Sequence, residues 1–215
     1  MGFWSAENAT KAYLNTLKMG HKPNEPDEAE FISALAAGNN AKLMVMACGG
    51  AADSTTLALV SAAHQTGGRV VCILRGSEQL ELSEKSLGLD ICHVEFVIGE
   101  AQNLLQTHYK EADFVLVDCN LENHEGILRA VQMGKKQNGC VVVGYNAFRK
   151  GSWRSNVGSK TQLLPIGEGL LVTRIATNND KVTGKKSQWV VKVDKCTGEE
   201  HVFRVRFPHG REVKA

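Results

Sequence analysis

No stretch of this chain reaches the roughly 18 consecutive apolar residues that a membrane-spanning helix needs, and the opening MGFWSAENATK has neither the basic start nor the apolar centre of a signal peptide. A cytoplasmic protein with no membrane partner is the expectation. Gly2 follows Met1, but Ala6 stands where a myristoylation signal carries Ser or Thr. The six cysteines (Cys48, Cys72, Cys92, Cys119, Cys140 and Cys196) lack C-x-x-C spacing, which excludes the common zinc frameworks. Four of them lie in or beside apolar runs and read as small buried hydrophobes in a reducing compartment. A complete G-x-G-x-x-G, a nucleic-acid-binding motif, an internal repeat and a low-complexity segment are also missing. His64, His93, His108, His124, His201 and His209 have no partner at metal-ligand spacing and read as surface or locally bonded residues.

What is present suffices for a full core: 215 residues, 43% hydrophobic and 22% charged. The net charge of +2 hides an asymmetry. Residues 1–146 carry 11 Lys and Arg against 17 Asp and Glu, whereas 147–215 carry 14 against 6. That basic C-terminal region is open to two readings: a patch that meets an anionic partner, or a solvated sheet face with cations alternating outward.

The stretch Lys42–His64, KLMVMACGGAADSTTLALVSAAH, organises the rest. Leu43–Cys48 has the unbroken apolar character of a strand buried on both faces. It ends in Gly49, Gly50, Ala51 and Ala52, after which Asp53 and Ser54 are suited to capping a helix. Such a small-residue loop lets a ligand's polar end approach the backbone, although the same residues also suit close packing. Upstream, residues 5–19 read as an amphipathic helix capped by Ser5, and a second helix runs from about Asp27 to Gly38 after two prolines. Downstream, strands and helices alternate. Strands are expected at Arg69–Leu74, Val94–Ile98, Phe114–Asp118 and Cys140–Gly144, with helices at Ser77–Leu87, Ala101–Tyr109 and about 122–136. This pattern implies a parallel sheet with right-handed crossovers and helices on both faces. A Gly-, Ser- and Arg-rich stretch, Phe148–Lys160, precedes three further β-like runs at Gly169–Ala176, Gln188–Asp194 and Glu200–Phe207, the last two flanking a turn at Lys195–Gly198. Trp153, among the basic residues of that stretch, reads either as a stacking platform or as part of a loop folded on the core.

Four segments then carry a resemblance: Val94-Glu-Phe-Val-Ile-Gly-Glu-Ala101, Phe114-Val-Leu-Val-Asp118, Val143-Gly-Tyr-Asn146 with Gly151-Ser152 beyond, and Leu164-Pro-Ile-Gly-Glu-Gly169. In this order, over residues 27–176, they resemble class I S-adenosylmethionine-dependent methyltransferases, in particular the caffeoyl-CoA O-methyltransferase type. The chain is also similar to a plant family of uncharacterised proteins placed in that superfamily. The resemblance implies an α/β, Rossmann-like, doubly wound and mostly parallel sheet with antiparallel C-terminal strands and two N-terminal helices. It also implies a single domain over 1–215, with helices in 1–40, a βα core in 41–146 and antiparallel strands in 164–207. S-adenosylmethionine would be the cofactor. The loop Gly49, Gly50, Ala51 and Ser54 would meet its methionine end, Glu100 and Ala101 its adenine, and Asp118 and Asn146 would stand at the catalytic strand ends.

The sequence departs from the family at three places. Val45, Met46 and Ala47 occupy first-strand positions where an acid is usual. Leu74-Arg75-Gly76 replaces the acid that accepts both ribose hydroxyls, a loss of about 1–3 kcal/mol; Arg75 would suit a phosphate there instead. Gly144-Tyr145-Asn146 lacks one carboxylate of the usual Gly-Tyr-Asp-Asn, so Asp118 and Asn146 fall short of a divalent-metal site and no metal is expected. Asp118 equally suits a cap on the Asn120 and Leu121 N–H groups, and Cys119 beside it stands where a thiol can react. Two functions follow. One is a metal-independent methyltransferase that binds S-adenosylmethionine and an unknown small-molecule acceptor. The other is a non-catalytic binding or regulatory module whose basic C-terminal face meets an anionic partner.

Overall fold

Four apolar runs, each leading into a helix, form the parallel part of a seven-stranded sheet with a fifth run beside them: β1 (Leu43–Ala47), β2 (Arg69–Leu74), β3 (Val94–Ile98), β4 (Phe114–Asp118) and β5 (Cys140–Tyr145). The computed structural model describes residues 4–19, 27–134, 139–150, 160–175, 187–193 and 200–206. Helices α1 (Ala6–Met19) and α2 (Glu28–Gly38) precede the sheet. Between the strands run α3 (Ser54–Thr66), α4 (Ser77–Leu87), α5 (Ala101–Thr107) and α6 (His124–Met133). A short helix, α7 (Ala147–Lys150), follows β5. Strand order is β3-β2-β1-β4-β5-β7-β6, where β6 is Lys160–Leu164 and β7 is Leu170–Ile175. β7 runs antiparallel to both β5 and β6.

The local chemistry explains the boundaries. Ser5 Oγ accepts from the Asn8 N–H at 3.2 Å, which caps α1. Asp27 and Glu30 form a reciprocal capping box on α2. At the start of α3, Asp53 Oδ1 accepts from the Thr55 N–H at 2.9 Å. Side chains of β1 then alternate between two cores: Met44 and Met46, with Cys48 just beyond, face the layer of α1, α2 and α3, while Val45 and Ala47 face that of α5 and α6. The sheet is therefore covered on both faces, as its continuous apolar strands require. The strand order reverses between β1 and β4, and the carboxyl ends there create the crevice at which open α/β sheets receive ligands.

Three features depart from expectation. β6 falls in a polar run, KTQLL, and forms the outer edge of the sheet, where half-exposed side chains leave no continuous apolar signal. The expected C-terminal strands β8 (Ser187–Val193) and β9 (Glu200–Arg206) pair antiparallel, yet they form a separate two-stranded sheet instead of extending the large one. Contacts divide the chain into two compact units, 1–177 and 178–215, and this hairpin lies in the second. A 3-10 turn at Gly88–His93 was also not expected from the sequence. The turn at Lys195–Gly198 and Trp153 lie outside the described residues.

Candidate functional site

The carboxyl ends of β1 to β4 open onto a cleft of about 400 Å³, within the range of small-molecule sites. Arg75 at the end of β2, and Glu100, Ala101 and Gln102 after β3, line it with Cys48 and Asn123. Three of the residues expected at a ligand, Arg75, Glu100 and Ala101, are thus brought together. Glu100 leaves its own helix uncapped, and its carboxylate accepts from Asn103 Nδ2 at 2.7 Å. Asn123 Nδ2 donates to Gln102 Oε1 at 2.6 Å, joining the first turn of α5 to the β4–α6 loop. Arg75 is exposed and has no hydrogen-bond or ion-pair partner among the described residues. Arg69, Arg129 and Arg174 each have one, in Glu95, Glu125 and Asn39 respectively.

A second cluster lies at the ends of β4 and β5, and its members do not line the cleft. Asp118 is 7% exposed. Its Oδ1 accepts from the Asn120 N–H at 2.9 Å and from Asn146 Nδ2 at 3.0 Å. The Asn146 backbone sits at φ 59, a left-handed conformation that Asn tolerates better than most residues. The other carboxylate oxygen, Oδ2, packs over Gly49, where any Cβ would collide with it. The first loop therefore divides. Gly49 belongs to this cluster, while a Cβ on Gly50 would meet open space. Ala51 is half-buried, and Ser54 is the exposed first residue of α3.

The neighbouring groups are held in neutral forms. Burial pushes the Tyr145 phenol up, with Cys48, Asp118 and Asp53 nearby adding to the shift. The Cys48 thiol, 2.9 Å from that of Cys72, is pushed up by that contact and by burial. Burial, with Asp118 beside it, pushes Cys119 up to about 12, so the thiol suspected of reactivity stays protonated at neutral pH. Asp118 and Asn146 offer few oxygens, and among the described residues no three His, Cys, Asp or Glu side chains gather to hold a metal.

Sequence reasoning missed two groupings. Gln102 and Asn123 both follow strand ends, so their positions were open to inspection, but their pairing depends on the third dimension. Glu28 is the other. One of its carboxylate oxygens is buried without a hydrogen-bond partner beside Gly167, and burial with the nearby Asp27 charge raises its pKa to about 7.

Residues 2–205 match the protein family described as "Protein of unknown function (DUF1442)". The chain belongs to that family. No curated protein matches this DUF1442 member in sequence. Solved structures do match its fold. A methyltransferase from Geobacter sulfurreducens is 17% identical, with a TM-score of 0.57, over 80% of this chain and 90% of that one. An SAH-bound methyltransferase from Podospora anserina is 14% identical, with a TM-score of 0.56, over 81% and 90%. An O-methyltransferase from Bacillus cereus in complex with SAH is 14% identical, with a TM-score of 0.56, over 80% and 92%. At these identities the likeness shows a methyltransferase fold for the DUF1442 chain.

Proposed function

We propose that this protein binds an adenosine-containing ligand in the cleft at the ends of β1 to β4, and that binding, not methyl transfer, is the function its residues retain. The observation that carries this reading is the engagement of Asp118. Its Oδ1 accepts from both Asn120 and Asn146, and its Oδ2 packs over Gly49. A carboxylate held this way closes a turn and ties β4 to β5 and the first loop, a structural role that leaves only 7% of Asp118 exposed to an acceptor.

S-adenosylmethionine is the ligand that the SAH-bound relatives suggest. The residues present fit it in part. Glu100, an acceptor fixed by Asn103, and Ala101 suit the amino edge of an adenine. Arg75 suits an unmodified ribose poorly: its guanidinium can donate to the hydroxyl oxygens but offers no acceptor for their O–H groups, which the usual acid supplies. The fit to S-adenosylmethionine therefore fails at the sugar, and no transfer step is derived through it. The excess of 14 Lys and Arg over 6 Asp and Glu in residues 147–215 adds an anionic partner to the same proposal.

A second reading, metal-independent methyl transfer, is favoured by the position of Asp118 and Asn146 at the ends of β4 and β5, beside the first loop. Titration calorimetry with S-adenosylmethionine and S-adenosylhomocysteine tests the shared premise. Saturable binding with a Kd below about 1 mM, lost in Glu100→Ala or on enlarging Ala51, is the expected result, and no heat from these two or from adenosine and its monophosphates at any accessible concentration would sink it. Incubation with methyl-labelled S-adenosylmethionine and a panel of small acceptors separates the two readings. Turnover abolished by Asp118→Ala would establish transfer.

A further inference from the structure

We propose that Arg75 makes the cleft a receptor for an adenine nucleotide whose ribose itself carries a phosphate. This rests on the proposal that the cleft binds an adenosine-containing ligand, and it names the class of that ligand.

Three observations lead here. Arg75 follows directly on β2, at the strand end that lies beside the sugar of a bound nucleotide in open α/β sheets. At this place an acid accepts a ribose diol, whereas an arginine accommodates a ribose phosphate. Second, the guanidinium lines the cleft and has no partner among the described residues, unlike Arg69, Arg129 and Arg174. Its planar fork of donors matches two phosphate oxygens at once. Third, the cleft is divided by charge. Glu100 on the β3 side is an acceptor held by Asn103, so it faces ligand N–H groups, while the cation stands on the β2 side. A ligand with donors on its base and an anion on its sugar satisfies both walls. An unphosphorylated adenosine offers the guanidinium only neutral hydroxyl oxygens and leaves its own O–H groups without an acceptor.

The test is calorimetric titration of the full chain with adenosine, adenosine 2′-monophosphate, adenosine 3′-monophosphate and adenosine 5′-monophosphate, with S-adenosylhomocysteine alongside. The 2′- or 3′-phosphate is expected to bind at least about tenfold tighter than adenosine, a margin that shrinks as salt is raised. Arg75→Gln should collapse that ratio toward one, Arg75→Lys should keep part of it, and Arg75→Asp should reverse it in favour of adenosine. Because Arg75 is exposed, these variants are expected to fold, and circular dichroism checks that they do. Adenosine binding with no preference for the phosphates, or a preference that survives Arg75→Gln, overturns the proposal while leaving the cleft intact. A preference for the 5′-phosphate alone also overturns it, since that anion lies away from the diol position. Absence of binding by all five compounds overturns the cleft reading and this one with it.

Discussion

Asp118 closes over Gly49: the carboxylate of one strand end fills the space where the first residue after Cys48 would carry a side chain. This contact, with the 3.0 Å bond from Asn146 to the same carboxylate, ties the ends of β1, β4 and β5 together. Gly49→Ala must displace Asp118 or the loop, and a strained insertion of this kind costs about 1–3 kcal/mol. A fall of several degrees in Tm is expected. An unchanged melting curve would mean that the contact is easily relieved and that Asp118 is free to move.

Asn146→Asp should restore the carboxylate that the methyltransferase resemblance lacks, without disturbing the backbone, because Asp also tolerates a positive φ. Two carboxylates would then face each other at the place of the present hydrogen bond. Their repulsion should lower stability at pH 7 by about 1–3 kcal/mol, with one pKa raised. Lowering the pH to 5 or adding millimolar Mg²⁺ or Ca²⁺ should recover the loss. Differential scanning fluorimetry across pH and metal measures this. A variant as stable as the parent and indifferent to both would show that the two side chains do not share a site.

The parallel core was legible because its strands are buried on both faces, so Leu43–Cys48, Arg69–Leu74 and Phe114–Asp118 carry continuous apolar runs that the structure reproduces closely. Ser5 and Asp53 were readable as caps for the same local reason: a short oxygen side chain meets an N–H a few residues on. β6 was not legible, since an edge strand with Lys160, Thr161 and Gln162 gives no burial pattern. The separate β8–β9 sheet escaped too, because alternation predicts a strand but not the sheet that receives it. At the site, the resemblance pointed to Glu100 and Ala101, and its departure at the end of β2 to Arg75; the structure brings these three to one cleft. The collision of Gly49 with Asp118 and the burial of Glu28 depend on segments distant in sequence and left no local mark.

Thiol labelling checks the burial of the first and fourth strand ends. Cys92 is exposed, whereas Cys48, Cys72, Cys119 and Cys140 are buried, with Cys48 and Cys119 held protonated. Among these five, iodoacetamide at pH 7.5 should modify Cys92 first, and the other four should react only with global unfolding, as read by peptide mass spectrometry. Rapid labelling of Cys119 in the native protein would contradict the packing around Asp118 and revive a reactive thiol there.

Glu28 gives the protein a pH dependence of definite sign. Its folded-state pKa, about 7, lies above the ordinary value of 4.5, chiefly through burial and secondly through the Asp27 charge. Below pH 4.5 the carboxyl is protonated in both states and its full contribution is present. As the pH rises, the unfolded chain releases this proton first, so stability falls between pH 4.5 and 7 and the contribution is gone above 7. Glu28→Gln keeps the size and shape of the side chain and removes the charge. After discounting for the partial exposure of this side chain, the variant should be about 1 kcal/mol more stable than the parent at pH 8. At pH 4.5 it should show no such advantage, because the parent is then protonated as well. Urea denaturation of both proteins at the two pH values measures the difference, and an equal advantage at both would locate the effect in packing around Gly167 instead of in the ionisation of Glu28.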